Sequence, residues 1–324
     1  MKIYASPCGT SLRTVEFDML HQLHTWSTPR RHEWCENPEE ADIIFLTNAQ
    51  QKWGSELEKN VLPKRFPEKS FALSEQWEPP FLLAGIYANA PRSPFGRGRF
   101  RTGSYILHHP DFHNTFVDAY DYRAAPSRPN PDLLASFLGR QCHPVRDRLF
   151  AMNFAPDEIL VEDTSTFDAF THTTEGKLEK QRRYFEICLR SKFILCPRGA
   201  GPNSIRLFEA LKLGIAPVII SDDWIPCEGP QWEKFAIFIP ENEVENTGEI
   251  MRRFQFEYAE RGRNARLAYE NFFSPETYFN YLVDSAASAL SSRVVPERLF
   301  ITLWPAYRLL RGVRRRTKKL VGIK

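Results

Sequence analysis

The 324-residue chain has no run approaching the roughly 20 apolar residues that a membrane-spanning helix needs. Its opening Met1-Lys2-Ile3-Tyr4 lacks the apolar core of a secretory signal, so a cytoplasmic protein is expected, soluble or peripheral on the cytosolic face of a membrane. The six cysteines (Cys8, Cys35, Cys142, Cys188, Cys196 and Cys227) form no C-x-x-C pair, which indicates neither a zinc site nor a disulfide scaffold and suits free thiols. There is no G-x-x-x-x-G-K-[ST], so P-loop hydrolysis of ATP has no support. The dinucleotide fingerprint is also incomplete. Gly199-Ala200-Gly201-Pro202-Asn203-Ser204 has two of its glycines, but Ser204 replaces the third.

Length and a 42% hydrophobic content suit two α/β cores. Three segments are expected: an N-terminal, acceptor-side Rossmann-like domain over 1–130, a C-terminal domain over 131–290, and a terminal helix with a basic tail over 291–324. In the first, Ile3–Ala5 and Ala41–Thr47 read as strands around a helix on which Val15, Met19, Leu20, Leu23 and Trp26 recur. Phe71–Leu73, Leu82–Tyr87 and Tyr105–Leu107 are further strand candidates. The loop from Pro91 to Gly103 carries Arg92, Arg97, Arg99 and Arg101, either solvated or forming a basic lid. Ala124–Pro131 reads as a proline-stiffened linker. After it the alternation is clean. Leu133–Leu138, Glu158–Val161, Phe193–Cys196, Ala216–Ile220 and Ala236–Ile239 read as strands; Pro144–Met152, Lys177–Arg190 and Asn203–Leu213 read as helices. A parallel, doubly wound sheet follows. Helices over Val244–Phe273 and Pro275–Ser291 complete the chain.

The stretch Phe193–Trp224 joins strand, polar loop, helix and strand, an order that makes a ligand crevice at the carboxyl ends of the strands. Asn203 and Ser204 supply N-cap chemistry, and Gly214 suits the helix end. The free amides of the helix start favour an anion. Arg198 and Arg206 offer forked cationic donors for phosphate, Ser204 a hydroxyl, and Glu209 a carboxylate for ribose hydroxyls. Gly199, Asn203 and Asp222 complete this nucleotide-binding set. Arg206 and Glu209 are three apart on one helix face, so an intrahelical ion pair is the competing reading.

Phe193–Asp223 resembles the exostosin family (glycosyltransferase family 47), in its bacterial type. The resemblance rests on Pro197-Arg198-Gly199, the Ser-x-Arg-x-x-Glu-Ala run from Ser204 to Ala210, Gly214–Ile220 and the Ser-Asp-x-Trp loop Ser221–Trp224. It extends to Arg183-Tyr184-Phe185 with Leu189 and Ser191, to Ser136–Arg140, and to Gln231-Trp232 through Ile239 and Glu241. Together these cover about Leu133 to Glu243. The likeness implies a GT-B fold, two Rossmann-like domains facing each other across a cleft, and transfer of a sugar from a nucleotide sugar, here a UDP-sugar, to a glycan or lipid-linked glycan.

Arg140, at the end of the first strand of the second half, could reach the leaving diphosphate from the opposite wall. With fixed cations in place no metal or other cofactor is expected, and no Asp-x-Asp is present to hold one; an inverting transfer is expected. The catalytic base should come from the first half, near His108, His109, Asp111 or Glu75. Asp111 leads, followed by His109, although an Asp after Pro110 also suits a turn. His109 and His113 have i, i+4 spacing, but Pro110 argues against the helix that a zinc pair would need. The alternative to an enzyme is a nucleotide-sugar or glycan-binding protein of the same fold.

From Trp304 to Lys324 there are eight basic residues and no acidic one, more than the chain's net charge of +3. Leu303, Tyr307, Leu310 and Val313 recur at helical spacing beside Arg308, Arg311 and Arg314. This composition suits contact with an anionic membrane. A solvated tail and a nucleic-acid patch are the other readings, and no nucleic acid is expected as a partner of the crevice.

Overall fold

The computed structural model describes residues 1–8, 15–47, 54–76, 82–90, 92, 96, 98–106, 113–124, 130–166 and 176–306. Its apolar runs form two all-parallel sheets. The first is built from β1 (Lys2–Pro7), β2 (Glu33–Trp34), β3 (Ile43–Thr47), β4 (Ser70–Ser74), β5 (Gly85–Tyr87) and β6 (Phe100–Thr102), in the order β2-β1-β3-β4-β5-β6. The second contains β7 (Leu133–Gly139), β8 (Ile159–Asp163), β9 (Ser191–Pro197), β10 (Ala216–Ile220) and β11 (Ile237–Phe238), in the order β11-β10-β9-β7-β8. Strands such as β3, β4 and β10 are buried at every residue, which is why they read as unbroken apolar runs. Two parallel-sheet α/β units of Rossmann-like build result, as the alternation of strands and helices led one to expect.

The helices of the first half are α1 (Val15–Trp26), α2 (Gly54–Lys59), α3 (Val61–Arg65) and α4 (Thr115–Ala119). Those of the second are α5 (Pro144–Phe150), α6 (Lys177–Arg190), α7 (Ile205–Leu213), α8 (Thr247–Phe254), α9 (Tyr258–Ala268) and α10 (Tyr278–Ser292), and residues 297–306 form α11. Gly214 ends α7 with φ 66°, a left-handed cap, and Gly262 of α9 lies so close that a Cβ there would stand 2.5 Å from the Gly214 carbonyl oxygen. The helical stretch expected over Val244–Phe273 divides into a 3-10 turn, α8, α9 and a π-helical turn at Tyr269–Phe273.

The last long helix of the second half, α10, turns back across the first sheet, packing on α1, β3, β5 and β6. Tyr281 Oη donates to the Thr102 carbonyl at 2.6 Å, and Tyr278 Oη accepts from the Ser104 amide at 2.8 Å. Through Tyr278, Phe279 and Tyr281 one apolar cluster runs from Ile3, Ile43 and Phe71 of the first sheet to Leu207, Phe208 and Leu211 of α7.

Two expectations are corrected here. Tyr105 and Ile106 are not in a strand; the sixth strand, Phe100–Thr102, lies inside the segment expected to be a loop. Its polar sequence is tolerated because Arg101 is buried against Glu228 at 3.0 Å and donates to Ser288 and Ser292 of α10. The basic lid is not observed either. Arg99 is buried in a forked pair with Glu297, Nε to Oε2 at 2.9 Å and Nη2 to Oε1 at 2.6 Å. Arg92 is exposed and donates to the Trp224 carbonyl at 3.4 Å, while Arg97 lies outside the described residues. So do residues 125–129 of the expected linker.

Glu297 also accepts from the Ala84 amide at 2.8 Å, Glu68 accepts from the amides of Glu297 and Arg298 at the start of α11, and Trp304 Nε1 donates to the Leu82 carbonyl. These contacts tie α11 to the first unit. Removing one partner of a buried ion pair strands the other charge, so Glu297→Ala should cost about 3–5 kcal/mol. Urea unfolding followed by tryptophan fluorescence should show that loss, and Arg99→Met/Glu297→Leu should recover much of it.

Candidate functional site

In the second sheet β7 lies between β8 and β9, so successive connections leave β7 in opposite directions and a gap opens beyond the carboxyl ends of β7 and β9. Ligands of open α/β sheets bind at such a switch point. Arg146, in the first turn of α5, sits beneath it. Its Nε donates to the Arg198 carbonyl at 2.8 Å, Nη1 to Arg140 at 3.1 Å and Nη2 to Pro197 at 3.0 Å. One guanidinium thereby joins the ends of both strands. Burial, with Arg206 beside it, brings its pKa down to about 10, still cationic at neutral pH. Sequence reasoning passed over Arg146. The available signal was a cation in the first turn of a helix, where the dipole favours anions.

Arg206 approaches the same place from α7. Its Nε donates to the Leu138 carbonyl at 2.6 Å, and its guanidinium, like that of Arg146, lies 5.2 Å from the centre of the Phe137 ring. Among the described residues no carboxylate forms a salt bridge with Arg146 or Arg206. Ser204 is the N-cap of α7, yet its hydroxyl makes no capping bond and its buried Oγ has no hydrogen-bond partner among the described residues. Two guanidiniums without a salt bridge among the described residues thus stand near the start of α7, whose N-cap hydroxyl is idle and whose first amides favour an anion, while Glu209 on the same helix acts on Arg206 only at a distance.

The other expected residues are distributed around this point. Arg140 is exposed at the end of β7, and Gly199 is half-buried in the loop after β9. The side chain of Arg198 turns to the far edge, pairing with Asp223 at 2.7 Å and Glu241 at 3.1 Å. Asp222 and Glu241 exchange hydrogen bonds, each accepting from the other's amide, which places Asp222 in a loop-closing role. Asn203 crosses to the first unit: its Nδ2 donates to the Ala88 carbonyl at 2.8 Å and its amide to Asn89 Oδ1 at 3.1 Å. Asn203 Oδ1 meanwhile accepts from the Ser204 amide at 2.7 Å.

Glu209 is not paired with Arg206. It accepts from Tyr184 Oη at 2.6 Å, and burial raises its carboxyl pKa. His109 and Asp111, with His108, lie outside the described residues. Glu75 is buried just beyond β4, in the electrostatic surroundings of Tyr105 and Tyr278. The six cysteines are free thiols. Among the described residues no helix is long and apolar enough to cross a membrane.

Residues 105–254 match the Exostosin GT47 domain, a wider span than the motifs alone had indicated. A probable glucuronosyltransferase, GUT1 of Oryza sativa subsp. japonica, is 40% identical over 70 residues, 21% of this chain and 17% of that protein. An Exostosin-1 homolog of Caenorhabditis elegans is 37% identical over 92 residues, 26% and 24% of the two chains. The probable beta-1,4-xylosyltransferase IRX10 of Arabidopsis thaliana is 39% identical over 70 residues, 21% and 17%. The matched region thus spans about a fifth of these relatives' length. The solved structure of MurG from Acinetobacter baumannii superposes over 93% of this chain and 98% of its own at 9% identity, with a TM-score of 0.32, too loose to carry an argument.

Arg146→Lys keeps the charge, but its donors sit on one nitrogen and lack the span by which three guanidinium nitrogens reach carbonyls at two strand ends, and each buried acceptor left bare costs about 1–3 kcal/mol. The variant should melt at a lower temperature in calorimetry and bind inorganic pyrophosphate more weakly; unchanged values for both would remove Arg146 from the site.

Proposed function

We propose that this chain, whose residues 105–254 match the Exostosin GT47 domain, is a glycosyltransferase moving a sugar from a nucleotide sugar, a UDP-sugar, to a glycan or lipid-linked glycan acceptor. The observation carrying this reading is that Arg146 and Arg206, with no salt-bridge partner among the described residues, stand at the β7/β9 switch point, with the idle Ser204 hydroxyl at the start of α7. Negative charge grows on the diphosphate as its bond to the sugar breaks, and fixed donors stabilise that charge without reorganising. Arg206 spends only Nε on the protein among the described residues, leaving its two Nη groups for phosphate oxygens. Ser204 Oγ and the first amides of α7 supply further donors, and Arg140 adds charge from the β7 side.

Glu209 is held by Tyr184 one helical turn along α7 from Ser204, a spacing that suits a ribose whose diphosphate lies at the helix start. Arg198 stabilises the surrounding loops through Asp223 and Glu241, with Gly199 and Asn203 shaping the wall. The cations perform the electrostatic work that a divalent metal would otherwise supply, which supports a metal-independent transfer. In an inverting reaction the acceptor proton goes to a base on the first unit, for which Asp111 and His109 are the candidates. The basic tail would hold the enzyme at an anionic membrane on the cytosolic face. Its fit to that role comes from its composition and from α11, which is tied to the acceptor-side unit.

Titration calorimetry with UDP and pyrophosphate separates the roles. Losing a charge-assisted contact costs about 1.5–3 kcal/mol, so Arg206→Ala should weaken both ligands roughly 10- to 100-fold. Glu209→Ala should weaken UDP while sparing pyrophosphate; unaltered UDP binding in both variants would refute the donor site. For the tail, deletion of residues 307–324 should abolish salt-sensitive cosedimentation with phosphatidylserine vesicles, and retained binding would contradict the membrane role.

A further inference from the structure

Between α1, α4 and α7 lies a pocket of 310 Å³ whose walls are mainly apolar. Met19 and Leu23 come from α1, Val117 from α4, Ile205 and Phe208 from α7, and Phe273 closes the side. Ile205 and Lys212, near opposite ends of α7, both line it, so the space runs about 10 Å along the helix. A dry cavity of about 150 Å³ accepts a benzene ring, and by that measure this pocket holds roughly a dozen carbon atoms. Sugar hydroxyls would fare badly along such walls, because each would lose water without gaining a partner.

Several of its polar groups are engaged with one another. Lys212 Nζ donates to Asp118 Oδ1 at 2.5 Å, and His113 Nδ1 stands 3.2 Å from Asp118 Oδ2. Burial works against the Asp118 carboxylate, but His113 and Lys212 hold its pKa below the ordinary value, so this cluster is internally neutralised. Glu209 lines the wall between Ile205 and Lys212, within electrostatic reach of Asp118 and His113, and Ser104 and Tyr105 line the pocket as well. Tyr105 Oη accepts from Asn89 Nδ2 at 2.9 Å, and Asn89 Oδ1 accepts from the amide of Asn203, next to the Ser204 cap. The pocket therefore opens beside the proposed donor site and extends away from it as a hydrocarbon-lined channel.

We propose that this pocket receives the hydrocarbon part of the acceptor, an alkyl or prenyl chain of roughly ten carbons joined to the sugar that is to be extended. The proposal rests on the glycosyltransferase reading and names the acceptor class for it. The chain would lie along α7, and the polar groups Ser104 and Tyr105, the latter linked through Asn89 to Asn203, would leave the attached sugar beside the donor. An acceptor without the chain would miss the burial that holds it. Each methylene buried is worth about fourfold in affinity, so chain length should be read out directly.

The test uses the full chain with UDP present and titrates decyl β-glucoside, methyl β-glucoside and decanol, all below micelle-forming concentrations. The expected result is decyl glucoside binding at least 100-fold tighter than the methyl glucoside and more tightly than decanol. Met19→Trp and Val117→Phe, which fill the pocket away from the donor residues, should each lose at least tenfold toward decyl glucoside and none toward UDP. Equal affinity for the decyl and methyl glucosides, or full decyl binding in both filled variants, would overturn the proposal. Decanol binding as tightly as its glucoside would do so too, by assigning the pocket to a free lipid. Failure of the wild-type protein to bind UDP, with decyl glucoside still bound, would sink the donor-site reading alone and leave the hydrocarbon site standing.

Discussion

The carbonyls of Arg140, Pro197 and Arg198 lie at or past the carboxyl ends of β7 and β9, the neighbouring strands between which the strand order reverses. Arg146 donates to all three at once. A neutral donor could satisfy the carbonyls, but a guanidinium also brings a charge that no carboxylate among the described residues meets by salt bridge. The same group that closes the strand ends thus makes them electropositive. Arg206 adds to this effect from α7, and Phe137 lies under both cations as a polarisable floor. The guanidinium that completes the hydrogen bonding of the strand ends is also the one that leaves them positively charged.

A second theme is how the two units are joined. The last long helix returns to the first sheet, and its aromatic residues carry a continuous apolar cluster into α7. Asn203 makes the polar counterpart, spanning from the loop before α7 to Ala88 and Asn89 beyond β5. The helix that presents Ser204 and Arg206 is therefore registered against the first unit by both kinds of contact. The apolar pocket beside Glu209 is a product of the same junction, since its walls come from α1, α4 and α7 together.

Much of the fold was legible because buried parallel strands must be apolar along their whole length, and β3, β4, β9 and β10 stood out for that reason. The helix α6 and the left-handed cap at Gly214 were equally clear from periodicity and from the one residue that tolerates positive φ. Strand β6 was hidden because Phe100-Arg101-Thr102 does not look buried; its arginine is internal only because Glu228 and two serines of α10 reach it. The arginines at 99 and 101 looked like a solvent-facing lid for the same reason. Burial of a charged residue depends on a partner that is nearly 200 positions away for Arg99, and local pattern carries no trace of it.

The sequence by itself determined the strand and helix alternation from β7 to β11, the anion-favouring start of α7 and the residue types that surround it, since each follows from local chemistry. Only the tertiary structure decided which arginines are paired with carboxylates and which are not. Arg198 turned to Asp223 and Glu241, Arg99 to Glu297, and Arg146, unremarkable in the sequence, came to bridge the ends of β7 and β9. The physical reason is that a guanidinium's role is set by whichever acceptors lie within about 3 Å of its donors, and sheet topology, not neighbouring residues in the chain, brings those acceptors to it.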